Sequence, residues 1–449
     1  MTHENSSLKR TLTPIKLWGI CVGSVVSGMT YGWNYGFSYT DFKGMLIAYG
    51  IVTAFYITFI LCYSELATAI PSSAGPAAYA EKAFGRFWGY LAGLSVVMEY
   101  LFAAPAISIS VGAYIHMFFP PIPALAASVF FYVLFVFINC RSAELGANVE
   151  LAVTLIAVLG IVLYCLAEMV HVDPGRLMTS SQPANGASGV LAAVPYAVWF
   201  YLAVESGAMD AEECKAPESD MPKAFIASVL TLAVLTVSVL VITAGTASTA
   251  LITSTDSPLP TVAANIFGLG SPIVRILGGI GLFALIASLQ GVMIGYSRQG
   301  YTLARNRFLP APLARLNQRS VPDRALKWIS AIGLVCVLIG KVNALVCIST
   351  SGSAVMTLLC IFSVFRLRLR QPDLKRPYRV AYPIVPIIAL LMDLVVVSGI
   401  LISILKQGKL IFIVLGIYFI AIVCYFITRA RTSSGSSPSA GQDALERKI

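Results

Sequence analysis

Two acidic residues lie where an acid needs a reason. Glu205, in Val204-Glu205-Ser206-Gly207-Ala208-Met209, and Glu99, in Met98-Glu99-Tyr100, both fall well inside long apolar runs. A carboxylate there can pair with an ammonium, hold a proton, or accept a hydrogen bond from a neighbouring helix. Hydroxyls and glycines accumulate at comparable depth in Gly23-Ser24-Val25-Val26-Ser27-Gly28-Met29-Thr30-Tyr31-Gly32. Such backbone offers unpaired N–H groups to an oxygen and carbonyls to an ammonium or a cation. Ser288 and Gln290 are polar groups in a further apolar run, suited to a solute, to Na+, or to bonds between helices. The aromatic series Tyr31, Trp33, Tyr35, Phe37 and Tyr39 suits a gate with cation–π contact to an amine, or an interfacial belt. Asp393 interrupts another apolar run, where a packing or dimer contact is expected.

Catalytic chemistry has little to work with. His3, His116 and His171 are the only histidines, none deep in an apolar run, and no nucleophile-base pattern is readable. The nine Cys show no metal-like CxxC spacing and read as small buried hydrophobes. No enzyme, cofactor, metal site or disulfide framework is expected.

The elements that must position these residues are membrane spans. The chain of 449 residues is 57% hydrophobic and only 12% charged, with a mean hydropathy of +0.81. A soluble domain carries roughly 25% charged residues. The apolar runs have the length of about twenty residues that crosses the hydrocarbon core. They predict an all-α polytopic membrane protein with twelve transmembrane helices near 15–38, 44–69, 87–119, 123–140, 147–170, 189–212, 222–247, 271–303, 326–341, 343–365, 381–404 and 410–428. With the N-terminus inside, 25 of the 31 Lys and Arg face the cytoplasm, so both termini are expected there, in the plasma membrane. That asymmetry also accounts for the net charge of +10 without nucleic acid. The acids Glu65, Glu150, Glu212, Glu213 and Asp373 lie near inner helix ends, where weak exposed pairs with Arg and Lys would order loops. Residues 1–14 form a polar tail without a signal-peptide pattern, and 432–449 read as a disordered tail.

Spans 1 and 6 are the two interrupted ones. They become the first members of two five-span halves, 15–170 and 189–365, if 381–428 is an added pair. Interruptions at corresponding places in two halves point to an inverted-repeat transporter's binding site, and Ser27-Gly28-Met29 is echoed by Ser206-Gly207-Ala208-Met209. The candidate substrate-binding set is Ser27, Gly28, Met29, Thr30, Tyr31, Glu99, Ala203, Glu205, Ser206, Gly207 and Gln290. Trp33, Tyr35, Glu99 and Ser288 are candidates for gating or coupling.

The chain also resembles the amino acid-polyamine-organocation superfamily of permeases, and within it the ethanolamine permease branch. The loop from Pro71-Ser72-Ser73-Ala74-Gly75-Pro76 to Phe84-Gly85 carries the superfamily likeness. Tyr31-Gly32-Trp33-Asn34-Tyr35-Gly36, Glu99-Tyr100 with Ala103-Ala104-Pro105, Glu205 with Glu212-Glu213, Gly295-Tyr296-Ser297-Arg298 and Phe365-Arg366-Leu367-Arg368 are similar to the branch. The resemblance implies a leucine-transporter-type 5+5 fold with broken helices 1 and 6, and alternating access around spans 1, 3, 6, 8 and 10. Branch members carry an acid where this chain has Met29, and many have a His where it has Gln290. Some proton-coupled relatives use a Lys in span 5, and 148–170 holds none. Glu205 is left as the ammonium partner, and the coupling ion stays open between proton and sodium. The expected function is uptake of a small amine or amino acid, foremost ethanolamine, by a monomer or homodimer. The alternatives are a neutral or aromatic amino acid permease and, in another class, a non-transporting nutrient receptor or a channel, although no pore-lining filter is readable.

Overall fold

Backbone in lipid must bond to itself, so each apolar run of span length closes into a helix. The computed structural model describes residues 11–141, 147–177, 182–319 and 321–434. Nine helices among them are long and apolar enough to cross a membrane. These are spans 2 (Phe42–Ala69), 3 (Arg86–Phe118), 4 (Ala124–Arg141), 5 (Ala147–Glu168), 7 (Pro217–Thr246), 8 (Pro272–Arg305), 10 (Val342–Arg370), 11 (Ile384–Lys406) and 12 (Leu410–Ser434). Span 9, Asp323–Ile339, has 17 residues. Spans 3 and 10 are 94% and 83% buried within the protein, against 28% for span 4 and 22% for span 12. The first two therefore form the centre, and the latter two face outward.

Span 1 is broken where its glycines and hydroxyls fall, whereas the α-helix of span 6 ends in the aromatic turn 199–203, just before the stretch from Val204 to Met209 expected to interrupt it. Span 1 is α-helical over Pro14–Val26, then passes through a 3-10 turn, Ser27–Met29, and a 3-10 helix, Trp33–Ser38. Span 6 is α-helical over Gly186–Val198 and resumes as a 3-10 helix, Val204–Glu213, after Ala203 at φ +74°. Left-handed backbone is uncommon for a residue with a Cβ and marks a held conformation. In both spans the second piece is 3-10 rather than α. The tighter winding has poorer hydrogen-bond geometry and is usually confined to short stretches.

The two broken spans run antiparallel and touch along their length. Leu12 N–H donates to Glu213 O at 3.0 Å and Lys215 N–H to Leu12 O at 3.0 Å. At the other end Asn185 Nδ2 donates to Tyr39 O at 2.9 Å and Thr40 Oγ1 to Ala184 O at 3.1 Å. The echoed glycines mark where they cross. A Cβ on Gly28 would lie 2.6 Å from Trp199 O of span 6, and one on Gly207 2.5 Å from Cys21 Sγ of span 1.

Glu65 departs from its sequence expectation, whereas Asp393 makes a packing contact of the expected kind. Glu65 was expected to make exposed pairs, yet it is buried. It accepts from Arg368 Nε and Nη2 at 2.8 and 2.6 Å and from Val380 N–H at 2.9 Å, and lies 3.3 Å from Arg376 Nε. Asp393 is buried and accepts from Thr357 Oγ1 at 3.2 Å, so it packs span 11 on span 10. Residues 432–434 continue span 12, while 435–449 and 1–10 lie outside the described residues.

Candidate binding site between the broken spans

A cavity of about 270 Å³ lies between the two breaks and opens toward the side that carries the start of span 1, called the N-side below. Gly23 and Ser24 of span 1, Ala203 and Ser206 of span 6, Tyr100 of span 3 and Gln290 of span 8 form its inner wall. Glu150, Asp210, Glu213 and Arg298 line it toward the N-side, together with Leu12. Arg298 Nη1 is ion-paired with Asp210 Oδ1 at 3.2 Å. Glu150 was expected to order a loop, and it belongs to this wall instead.

Hydroxyls stitch the breaks to span 8. Ser27 Oγ donates to Ser288 Oγ at 2.7 Å, Ser288 Oγ to Ser24 O at 2.9 Å, and Ser206 Oγ to Ser24 Oγ at 3.2 Å. Ser288 thus spends its proton on backbone freed by the break in span 1. Trp33 Nε1 donates to Met29 O at 2.9 Å and Tyr114 OH to Thr30 O at 3.3 Å, which satisfies two more carbonyls of that break. Met29, Tyr31 and Trp33 are wholly buried, with Tyr31 set edge-on to Trp199 at 5.6 Å and Trp33 stacked on Phe200 at 5.5 Å.

Glu99 and Glu205 lie directly behind the wall. Glu205 Oε1 accepts from Tyr100 OH at 3.1 Å, and Glu99 Oε1 accepts from Ala203 N–H at 3.1 Å. Glu99 therefore holds the one left-handed residue of the span 6 break. Tyr63 OH donates to Glu205 O at 3.3 Å, and Ser349 Oγ to Glu99 O at 2.5 Å. Of the candidate binding residues, Ala203, Ser206 and Gln290 reach the cavity. Ser27, Gly28, Met29, Thr30, Tyr31, Gly207 and the two acids are not among its lining residues. Tyr100, Gly23 and Ser24 line the cavity although they lie outside the candidate binding set, and all three sit in polar stretches of apolar runs.

The far side is sealed. A hairpin of short helices, Thr249–Thr253 and Pro258–Phe267, docks on the second piece of span 1. Asn34 Nδ2 donates to Ile252 O at 2.8 Å and to Thr255 O at 3.0 Å, and Tyr35 OH donates to the Asp256 carboxylate. Ser110 Oγ of span 3 donates to Asp256 O at 2.8 Å. Beneath this latch lies a void of about 20 Å³, beside Thr30, Tyr114 and Tyr164. Among the described residues no group of three or more His, Cys, Asp or Glu is placed to hold a metal ion.

A family model described as amino acid permease matches residues 12–422. The chain is similar to the branched-chain amino acid permease BcaP of Bacillus subtilis (strain 168), 23% identical over 88% of each chain. It is similar to the serine/threonine exchanger SteT of the same organism, 25% identical over 90% of this chain and 94% of that one. To the large neutral amino acids transporter small subunit 2 of Homo sapiens it is 24% identical over 92% of this chain and 81% of that one. The match runs from the residue that bridges to span 6 into the last span, across both breaks and the cavity between them, and the chain belongs to the amino acid permease family.

Proposed function

We propose that this protein is a secondary transporter that moves a small amine or amino acid by alternating access, with ethanolamine as the first substrate to test. The observation that carries the reading is the cavity between two broken spans, open at one end and latched at the other. At about 270 Å³ it is near the small end of ligand pockets, which suits a compact solute. The positive-inside count makes the N-side cytoplasmic, so this is the inward-open arrangement of a plasma-membrane protein with both termini inside. Glu150, Asp210 and Glu213 give the path an acidic lining, and Arg298 is tied to Asp210. That balance favours a solute with an ammonium group. The amine would rest against Tyr100 and Ala203, with Glu205 supplying the opposite charge through a rotation of its side chain. Its oxygen would meet the hydroxyls of Ser24 and Ser206.

A second reading, a neutral amino acid permease, draws on the relatives, whose names specify branched-chain, serine, threonine and large neutral amino acids. Uptake of labelled ethanolamine and of a panel of neutral and aromatic amino acids into proteoliposomes, followed by counterflow, tests both. Ethanolamine uptake with counterflow supports the first, and competition by zwitterions alone selects the second. Binding without counterflow for every compound would make the protein a receptor and end the transporter reading.

A further inference from the structure

Glu99 and Glu205 are both fully buried, and among the described residues neither has an ion-pair partner. Each carboxyl gives one oxygen to a neutral donor, Ala203 N–H for Glu99 and Tyr100 OH for Glu205, both at 3.1 Å. The other oxygen of each has no hydrogen-bond partner. Glu99 holds the backbone N–H of Ala203, two residues before Glu205, which makes the two carboxyls neighbours. Buried polar atoms are almost always paired, and adjacent carboxylates in a dry site resist ionising together. One proton between them turns two orphaned acceptors into a donor and its acceptor.

We propose that Glu99 and Glu205 form a single proton-binding site held between spans 3 and 6 behind the cavity wall, and that its proton is the ion coupled to transport. The titratable groups around the pair are Cys21 from span 1, Tyr56 and Tyr63 from span 2, Tyr100 from span 3, Cys360 from span 10, Asp393 from span 11 and Tyr418 from span 12. The phenols and thiols carry no charge at neutral pH, and Asp393 is engaged by Thr357. None of them neutralises the pair, so a proton or a visiting ammonium must. The link to movement runs through Ala203, the left-handed residue from which the second piece of span 6 starts. An anionic Glu99 holds the Ala203 N–H by a charge-assisted bond, and a protonated one holds it less strongly. A substrate ammonium that draws on the same charge changes the hold on this hinge.

The coupling half rests on the transporter reading, whereas the shared proton does not, and the test separates them. Infrared difference spectra of the purified protein across a pH step should show a protonated-carboxyl band. Glu99→Gln and Glu205→Gln should each remove the same component of it, and Glu218→Gln, a change in an exposed pair with Lys375, should leave that component in place. Each single variant removing only its own portion of the signal, or no protonated carboxyl in the wild-type protein, overturns the shared site. The amide introduced by Glu99→Gln keeps an acceptor for Ala203 and supplies an N–H for Glu205, so this variant retains the geometry. In proteoliposomes Glu99→Gln should make counterflow of the substrate the wild type carries, ethanolamine or a neutral amino acid, insensitive to pH. It should also lose accumulation driven by a pH gradient by about tenfold or more. Wild-type accumulation indifferent to such a gradient overturns the coupling, and wild-type uptake of nothing overturns the transporter reading alone.

Discussion

Glu65 and Glu205 are both carboxylates buried in the helix bundle, and the protein surrounds them in opposite ways. Glu65 ends span 2 with two arginines and a backbone N–H around it, and every donor comes from span 10 or the segment after it. Glu205 has a phenol, and a second acid close by. A buried charge that is fully paired fixes one arrangement, because removing either partner strands the other. A buried acid whose counter-charge is absent is poised to receive one. The same residue type is a rivet in one place and, on the function proposed above, a receptor in the other.

The largest effect should come from breaking the rivet. Glu65→Ala leaves Arg368 and Arg376 facing each other with no anion between them, and breaking such a pair costs roughly 3–5 kcal/mol. Thermal unfolding of the detergent-purified protein should show a large fall in midpoint, with Glu65→Asp intermediate. A midpoint like that of the wild type would mean water reaches the cluster, and the contrast with Glu205 would dissolve.

Glu205→Gln should do the reverse, leaving the midpoint nearly unchanged while uptake collapses. The amide oxygen still accepts from Tyr100, so little packing is lost. A hydrogen bond to a charged group contributes about 1.5–3 kcal/mol, so apparent affinity for an ammonium substrate should weaken roughly ten- to hundred-fold. Uptake kinetics across substrate concentrations read this directly. A Glu205→Gln protein that transports normally but melts early would make Glu205 a second rivet.

The sequence carried the spans because lipid leaves the backbone one solution, and hydropathy reports it. The break in span 1 was legible because Gly23 to Gly32 is polar at membrane depth, whereas span 6 leaves the α-helix at 199–203, an apolar and aromatic stretch, and its polar Glu205 to Gly207 follows in the 3-10 piece. What the sequence did not reveal are facts of pairing across distance. Glu65 resembles any acid at a helix end until Arg368 and Arg376 fold back onto it. Tyr100 is one tyrosine among twenty, and only the meeting of spans 3 and 6 puts its hydroxyl on Glu205. The latch at Asp256 was invisible because helices of 5 and 10 residues are too short to register as spans.

The echoed glycines give a smaller test of the same contrast between fixed and adaptable surroundings. Gly28→Ala places a methyl 2.6 Å from Trp199 O, a backbone atom that cannot yield without moving span 6. Overpacking of this kind costs about 1–3 kcal/mol. At Gly207 the nearest neighbour is the Cys21 side chain at 2.5 Å, so Cys21→Ala should restore part of what Gly207→Ala loses. Thermal midpoints of the three variants check this, and equal losses with no rescue would show that both crossings are rigid.

The smallest effect is expected at the latch, where an acid outside the spans is paired with a neutral donor and so falls between Glu65 and Glu205. Burial pushes the Asp256 carboxyl above its usual range, and the hydrogen bond from Tyr35 only partly opposes that shift. Opening the latch would return Asp256 to water and its ordinary value. The closed form then binds a proton more tightly, so it gains as pH falls through the raised value and loses that gain above it. Relative to free cysteine, whose rate carries the thiol's own pH dependence, labelling of Ile252→Cys by a membrane-impermeant thiol reagent applied to the sealed side should slow roughly two- to three-fold on mild acidification, since the closed form holds the extra proton. Asp256→Asn should remove the pH dependence while leaving Asn34 to hold the hairpin through the carbonyls of Ile252 and Thr255. Labelling that speeds up in acid would mean the ionised carboxylate closes the latch, which would place Asp256 with Glu65 as a rivet.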